Sequence, residues 1–281
     1  MLIAGCCLAG IACHRVRSSP ATVKIPLLTC SGLPCVDATF GQTNLRLLVD
    51  LADQTSYLTA AGLVKAEAAR PPKEFGKARK FKLGLVELND LFAVDETLNG
   101  AVPNGAERLA PGIDGSLSYN AFSDRLLVLN MPGRFMEVSP VPLSQPVCPA
   151  NCSELHDSRV GDVTGDVTLT ADGFSVGNSP LRARLDTLFH GSVAILEPVK
   201  GLRTEDSRPI EGSYGGNKLS LLEIAPVYFR GKVVANDAPV VRADPGFGVA
   251  GRQYNSAVGL SILSAGAYAF DLRSMKMWRY E

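Results

Sequence analysis

Between Val36 and Asp50 hydrophobic and polar residues alternate with a period of two on either side of Gly41-Gln42, which predicts two adjacent strands. Ala60 to Arg70 breaks that period. It reads as a short Ala-rich helix with Leu63 and Val64 available to a core, stopped by Pro71-Pro72. Phe81–Leu88 and Leu91–Val94 predict a strand pair around Asn89-Asp90, and Tyr119–Arg125 a short helix before a strand at Leu126–Leu129. Pro140 to Pro146 sustains neither helix nor central strand and reads as a linker. A clean period-two strand restarts the chain at Asp166–Thr170. These elements predict an all-β, mainly β chain.

One pattern occurs twice. Leu47-Leu48-Val49-Asp50 and Leu181-Arg182-Ala183-Arg184-Leu185-Asp186 each run a strand into an aspartate. Downstream, Asp114-Gly115-Ser116-Leu117-Ser118-Tyr119-Asn120-Ala121-Phe122 leads to a strand ending in Asn130. Its counterpart, Asn255-Ser256-Ala257-Val258-Gly259-Leu260-Ser261-Ile262-Leu263, leads to one ending in Asp271. The downstream blocks align without a gap, since 259 − 118 and 271 − 130 both equal 141. The aspartates stand 186 − 50 = 136 apart. Such a duplication predicts two similar lobes whose aspartates meet at a pseudo-twofold interface.

These linked motifs resemble the half-repeat of the aspartic peptidases: a strand into Asp-Thr-Gly, then a hydrophobic-hydrophobic-Gly block and a strand. The likeness spans Leu33 to Tyr280 and implies a two-lobed pepsin-like or fused retropepsin-like acid-protease fold with a pseudo-twofold internal duplication. The implied divisions are a leader at 1–24, an N-terminal lobe at 25–140, a linker at 141–154 and a C-terminal lobe at 155–281. The resemblance makes Asp50 and Asp186 the catalytic pair. Two close carboxylates share one proton, so one activates water as a general base while the other polarises the scissile carbonyl. Thr187 and Gly259 are the implied supports, and Tyr214, within Gly212-Ser213-Tyr214-Gly215-Gly216-Asn217, the implied flap residue. The first-lobe stretch Lys73–Lys77 is the shorter flap counterpart.

The triplets depart from the family pattern. They read Asp50-Leu51-Ala52 and Asp186-Thr187-Leu188, and Ser118 stands where the second lobe has Gly259. Glycine lets two loops approach backbone to backbone because it has no Cβ. Leu188 adds an isobutyl group there, and Leu51 has no hydroxyl to answer Thr187. The expectation is an exported aspartic peptidase-like protein with weak or no proteolysis that binds extended peptide between its lobes. The alternative is an active endopeptidase using Asp50 and Asp186.

Composition adds little to the site but something to location. The 28 basic and 28 acidic residues cancel, so no global field recruits nucleic acid. Residues 1–13 are apolar and small, too short to span a bilayer, and look like part of an export signal. Cys6 and Cys13 are candidate lipidation sites, implying an extracytoplasmic protein, periplasmic or lipid-anchored to the envelope. Beyond the leader, Cys30, Cys35, Cys148 and Cys152 suggest two disulfides; three connectivities are possible and the local pairs are the simplest. The chain is expected to be a monomer with a peptide or protein as its partner, and nothing in it calls for a cofactor.

Other motifs carry less. Neither cysteine pair has histidines at zinc-ligand spacing, and Asp162, Asp166 and Asp172 lack the pattern of a calcium loop. Gly173-Phe174-Ser175-Val176-Gly177 matches a nucleophile elbow, but a strand rather than a helix follows it. His190, four residues after Asp186, reads as a polar loop residue.

Overall fold

A computed structural model describes residues 22–67, 77–94, 112–140, 152–160, 167–203, 207–214, 217–244 and 252–280. Cys6, Cys13, Cys148 and most of the Lys73–Lys77 stretch lie outside these residues. The N-terminal lobe comprises β1 (Val23–Pro26), β2 (Leu28–Cys30), β3 (Leu33–Phe40), β4 (Thr43–Asp50), β5 (Ser56–Leu58), α1 (Ala60–Glu67), β6 (Lys77–Leu83) and β7 (Val86–Val94). It continues with β8 (Gly115–Ser118), a 3-10 turn (Tyr119–Phe122), β9 (Arg125–Asn130) and β10 (Phe135–Pro140). The C-terminal lobe comprises β11 (Ser153–Arg159), β12 (Val167–Val176), β13 (Ser179–Asp186), β14 (Val193–Ile195), β15 (Arg208–Tyr214), β16 (Asn217–Phe229) and β17 (Lys232–Asp244). It ends with β18 (Ser256–Gly259), α2 (Leu260–Leu263), β19 (Ala267–Asp271) and β20 (Lys276–Tyr280).

Both lobes thread these strands alike. In the first, β8 lies parallel to β4 and antiparallel to β5, and β5 is parallel to β7. In the second, β18 lies parallel to β13 and antiparallel to β14, and β14 is parallel to β17. Among the described residues a seven-stranded sheet belongs to the first lobe, whereas a thirteen-stranded sheet starts β1-β10-β9 in the first lobe and continues β19-β20-β11 into the second. Across that seam β9 and β19 pair antiparallel, with Val128 opposite Ala269. Because 269 − 128 is again 141, the duplication maps these two residues onto each other, and the pseudo-twofold axis passes between them. Both are buried, beside Trp278.

Turn chemistry sets the hairpins. The β3–β4 turn carries Gly41 at φ 60°, and the β6–β7 turn carries Gly84 at φ 57°, a left-handed conformation that costs glycine nothing. The second hairpin corrects the sequence reading, which put its turn at Asn89-Asp90. Here β7 runs straight through those residues, with Asn89 opposite Lys80 and Asp90 opposite Arg79. This register turns Phe81, Leu83, Leu88 and Phe92 inward, where Phe81 stacks on Phe40 at 5.3 Å and meets Phe92 edge-on at 5.6 Å. Asp90 holds an inward position of the same alternation.

Helix α1 buries Leu63 and leaves Val64 60% exposed, so one of the two expected core residues faces solvent. The turn at Tyr119–Phe122 is shorter than expected because β9 begins at Arg125. Gly173, at φ 95°, sits in a bulge of β12 rather than at an elbow, and β13 follows directly. Cys30 and Cys35 form a disulfide, and Cys152 is disulfide-bonded.

Removing the Phe81 ring should leave a cavity in the first-lobe core. Phe81→Ala is expected to cost about 3–5 kcal/mol in denaturant unfolding. Leu85→Ala, at a tip position 90% exposed, should change stability by less than about 0.5 kcal/mol. A large loss at Leu85 would place the turn elsewhere.

Candidate active site

Asp50 closes β4 and Asp186 closes β13, and each is flanked in register by the strand that follows in its own lobe: Ser118 beside Asp50, Gly259 beside Asp186. The two flanks differ for a steric reason. A Cβ on Gly259 would stand 2.3 Å from the Gly191 carbonyl oxygen and 2.6 Å from that of Phe189, so no other residue fits there without moving the loop after Asp186. Ser118 keeps its side chain because the first lobe supplies partners for it. Its hydroxyl donates to Asp90 Oδ2 at 3.1 Å, its N–H donates to Ser56 Oγ at 2.8 Å, and Ser56 Oγ also donates to Asp90 Oδ2. Burial raises the pKa of Asp90. The residue read as a turn-former is thus the acceptor that satisfies two buried hydroxyls.

The two aspartate loops meet across the lobes. The Thr187 hydroxyl donates to the Val49 carbonyl at 2.6 Å and accepts from the Leu51 N–H at 3.1 Å, joining the end of β13 to the end of β4. Leu51 is fully buried and returns no such bond. Thr168 supplies a different link, donating its hydroxyl to the Ala52 carbonyl. Leu188 does not hold the loops apart. Its side chain packs into the other lobe with Leu33, Cys35, Leu48 and Ile113, so the isobutyl group expected to obstruct the approach forms part of the contact.

Both carboxylate oxygens of Asp186 have partners. Oδ1 accepts the N–H groups of Leu188 and Phe189 at 3.1 and 3.0 Å. Oδ2 accepts the Tyr214 hydroxyl at 3.0 Å and faces Arg184 Nε at 3.6 Å. Tyr214 closes β15, is buried, and packs edge-on against Phe189 at 4.8 Å. Burial raises its pKa well above the usual phenolic value. Arg184 precedes Asp186 by two residues, so both side chains lie on one face of β13. Burial works against the guanidinium charge, but the neighbouring Tyr214, Asp186, Tyr254 and Asp50 outweigh it and its pKa is raised.

Asp50 has a simpler shell. Its Oδ1 accepts the Ala52 N–H at 2.9 Å. Burial first, then the charges of Asp186 and Asp53, push its pKa from 3.8 to about 7, against the pull of Arg184. The pair therefore differs in kind: a carboxyl that keeps its proton to near neutrality beside one crowded with donors.

The structure brings Asp50, Asp186, Thr187, Tyr214 and Gly259 together. It adds Arg184, which the strand's own alternation places beside Asp186, and Thr168, for which the sequence carries no signal. His190 is exposed and lies over Gly32. Among the described residues no group of three or more His, Cys, Asp or Glu is arranged to hold a metal ion. Two cavities flank the pair. A small one of ≈ 190 Å³ touches Ala52, Asp53 and Arg184, and a larger one of ≈ 920 Å³ opens beside the loop after Asp186.

This architecture is the pepsin-like aspartic proteinase fold. The chain superposes on an aspartic proteinase from Irpex lacteus with a TM-score of 0.52 and 11% identity, covering 92% of this chain and 96% of that one. It is similar to conglutin gamma, a basic 7S globulin from lupine seeds, with a TM-score of 0.50 and 10% identity, covering 92% and 94%. It is also similar to EDGP, with a TM-score of 0.51 and 9% identity over the same shares. No protein-family model and no curated protein sequence matches the chain.

The raised pKa of Asp50 fixes a pH dependence. Between about pH 4 and about pH 7 the folded chain holds a proton that the unfolded chain has released, so this group's contribution to stability falls as pH rises through that window. The whole effect is at most roughly 4 kcal/mol. Asp50→Asn cannot ionise. Its stability relative to the parent should therefore rise from acid to neutral pH in parallel denaturation series. A constant difference across that range would show that Asp50 carries no such proton.

Proposed function

We propose that this chain is an exported pepsin-fold protein with weak or no proteolytic activity, which holds an extended peptide in the cleft between its lobes. The occupancy of Asp186 carries the reading. A general base needs a carboxylate oxygen within hydrogen-bond reach of the attacking water. Here Oδ1 accepts two backbone N–H groups and Oδ2 accepts Tyr214 and faces Arg184, so an attacking water competes with these groups for either oxygen. Misplacing reacting groups by about 1 Å already costs on the order of 100-fold in rate.

The fold itself does not decide the matter, because functional sites are grafted on folds. An aspartic proteinase and a seed globulin share this architecture. Peptide binding is supported by the edge position of β15, the last strand of its sheet, since an extended chain can add to such an edge. The apolar N-terminal stretch and the Cys30–Cys35 disulfide support export to an oxidising compartment, with Cys6 or Cys13 as the point of any lipid anchor. The alternative, an active endopeptidase, draws on two observations: Asp50 keeps a proton to near neutrality, and Thr187 ties the aspartate loops together.

Purified chain is expected to leave an unfolded protein substrate intact from acid to neutral pH. Tyr214→Phe combined with Arg184→Leu removes the hydroxyl donor and the neighbouring cation from Oδ2 and should allow slow cleavage that disappears on adding Asp50→Asn. Vigorous cleavage by the unmodified chain, lost on Asp50→Asn or Asp186→Asn, would replace this reading with that of a working peptidase.

A further inference from the structure

We propose that the larger cavity takes a lysine or arginine side chain of the bound peptide, with Glu211 and Asp237 receiving its charge above an apolar wall. This rests on the peptide-binding reading and specifies which peptide. At ≈ 920 Å³ the cavity has room for a long side chain and flanking backbone. Its walls come from the loop after Asp186, from β15 and β16, from β17 and from α2. Phe189, Ile210, Leu219 and Ile262 supply apolar surface.

The charge on that wall has one sign. Glu211 on β15 and Asp237 on β17 line the cavity, both exposed, and neither forms an ion pair among the described residues. Among the described residues no lysine or arginine lines it, and His190 is the one basic group that does. Lysine and arginine match this arrangement because each lays an apolar stem on apolar surface while its cationic head stays near water and carboxylates. An acidic side chain meets like charge, and a neutral one leaves the carboxylates without a partner.

Strand geometry brings such a side chain to the cavity. A peptide added to the edge of β15 presents alternate side chains to one face. The β15–β16 pairing is interrupted between Ile210 and Ser213, and Gly212 there has φ 119°. Bulges of this type bend a strand and re-aim its neighbours. Glu211 and Gly212 at the interruption both line the cavity.

The test is fluorescence anisotropy on the full chain at about pH 8, where an ordinary imidazole is neutral. The probes are three labelled extended peptides that differ at one central position: lysine, norleucine or glutamate. The lysine peptide should bind roughly tenfold tighter than the norleucine peptide, as expected for two partly exposed charge contacts, and the glutamate peptide weakest. Added salt should erode the lysine advantage. In Glu211→Gln/Asp237→Asn, with folding checked by thermal unfolding, the lysine-to-norleucine ratio should fall to about one. Should the double variant not fold, each single variant is expected to lower the ratio roughly threefold. Equal binding of lysine and norleucine peptides by the parent would overturn the inference and leave the peptide-binding reading standing. A ratio unchanged in the variants would also overturn it, by placing the cation elsewhere. Absence of binding by all three peptides would remove both readings.

Discussion

Two strands can bring carboxylates together inside a protein only if the charge they create is neutralised. An isolated buried carboxylate is costly, and a second one nearby adds repulsion. This chain meets the constraint unequally. Asp50 is met by protonation, favoured by burial and by the charge of Asp186. Asp186 is met by three donors, two backbone N–H groups and a tyrosine hydroxyl, and by the charge of the Arg184 guanidinium nearby. A catalytic pair must leave its charge uncompensated enough to act on water. Here a proton on Asp50 and the backbone, tyrosine and arginine groups around Asp186 supply compensation.

The rest of the molecule holds that arrangement in place. The β9–β19 seam sets the axis between Val128 and Ala269, and the two strand ends converge on either side of it. Thr187 and Leu188 then lock the ends together, one through hydrogen bonds to Val49 and Leu51, the other by filling an apolar pocket in the opposite lobe. Neither contact has a counterpart from the first lobe, because Leu51 has no hydroxyl and Ala52 is too short. The contact between the two aspartate loops is therefore built mainly from the second triplet, with Thr168 adding a bond to Ala52.

Much of this was legible in the sequence. The 141-residue spacing of the downstream blocks is the seam itself seen along the chain, and the two aspartates follow from strands that end alike. What misled was residue type taken without context. Asn89-Asp90 has turn chemistry, yet Leu88, Asp90 and Phe92 keep strict alternation, and the serines that satisfy Asp90 come from sequence positions 56 and 118. Leu188 looked like an obstruction because a glycine's replacement was judged by volume alone; the cavity that receives it is made by Leu33, Leu48 and Ile113, which no local pattern connects. Arg184 was legible in principle, since two residues along a strand means the same face.

The central claim is that the protein's own donors occupy the place where a peptidase holds its reacting water. The most direct measurement is calorimetric binding of a peptide carrying a hydroxyl-bearing, non-cleavable tetrahedral centre, compared with the same peptide bearing an ordinary amide. Enzymes bind such analogues about 10²-fold tighter or more than the corresponding substrate. The account predicts affinities equal within about threefold, because the hydroxyl would have to compete with Tyr214 and Arg184 for Asp186 Oδ2. A preference of 10²-fold or more for the tetrahedral analogue, lost in Asp186→Asn, would contradict it.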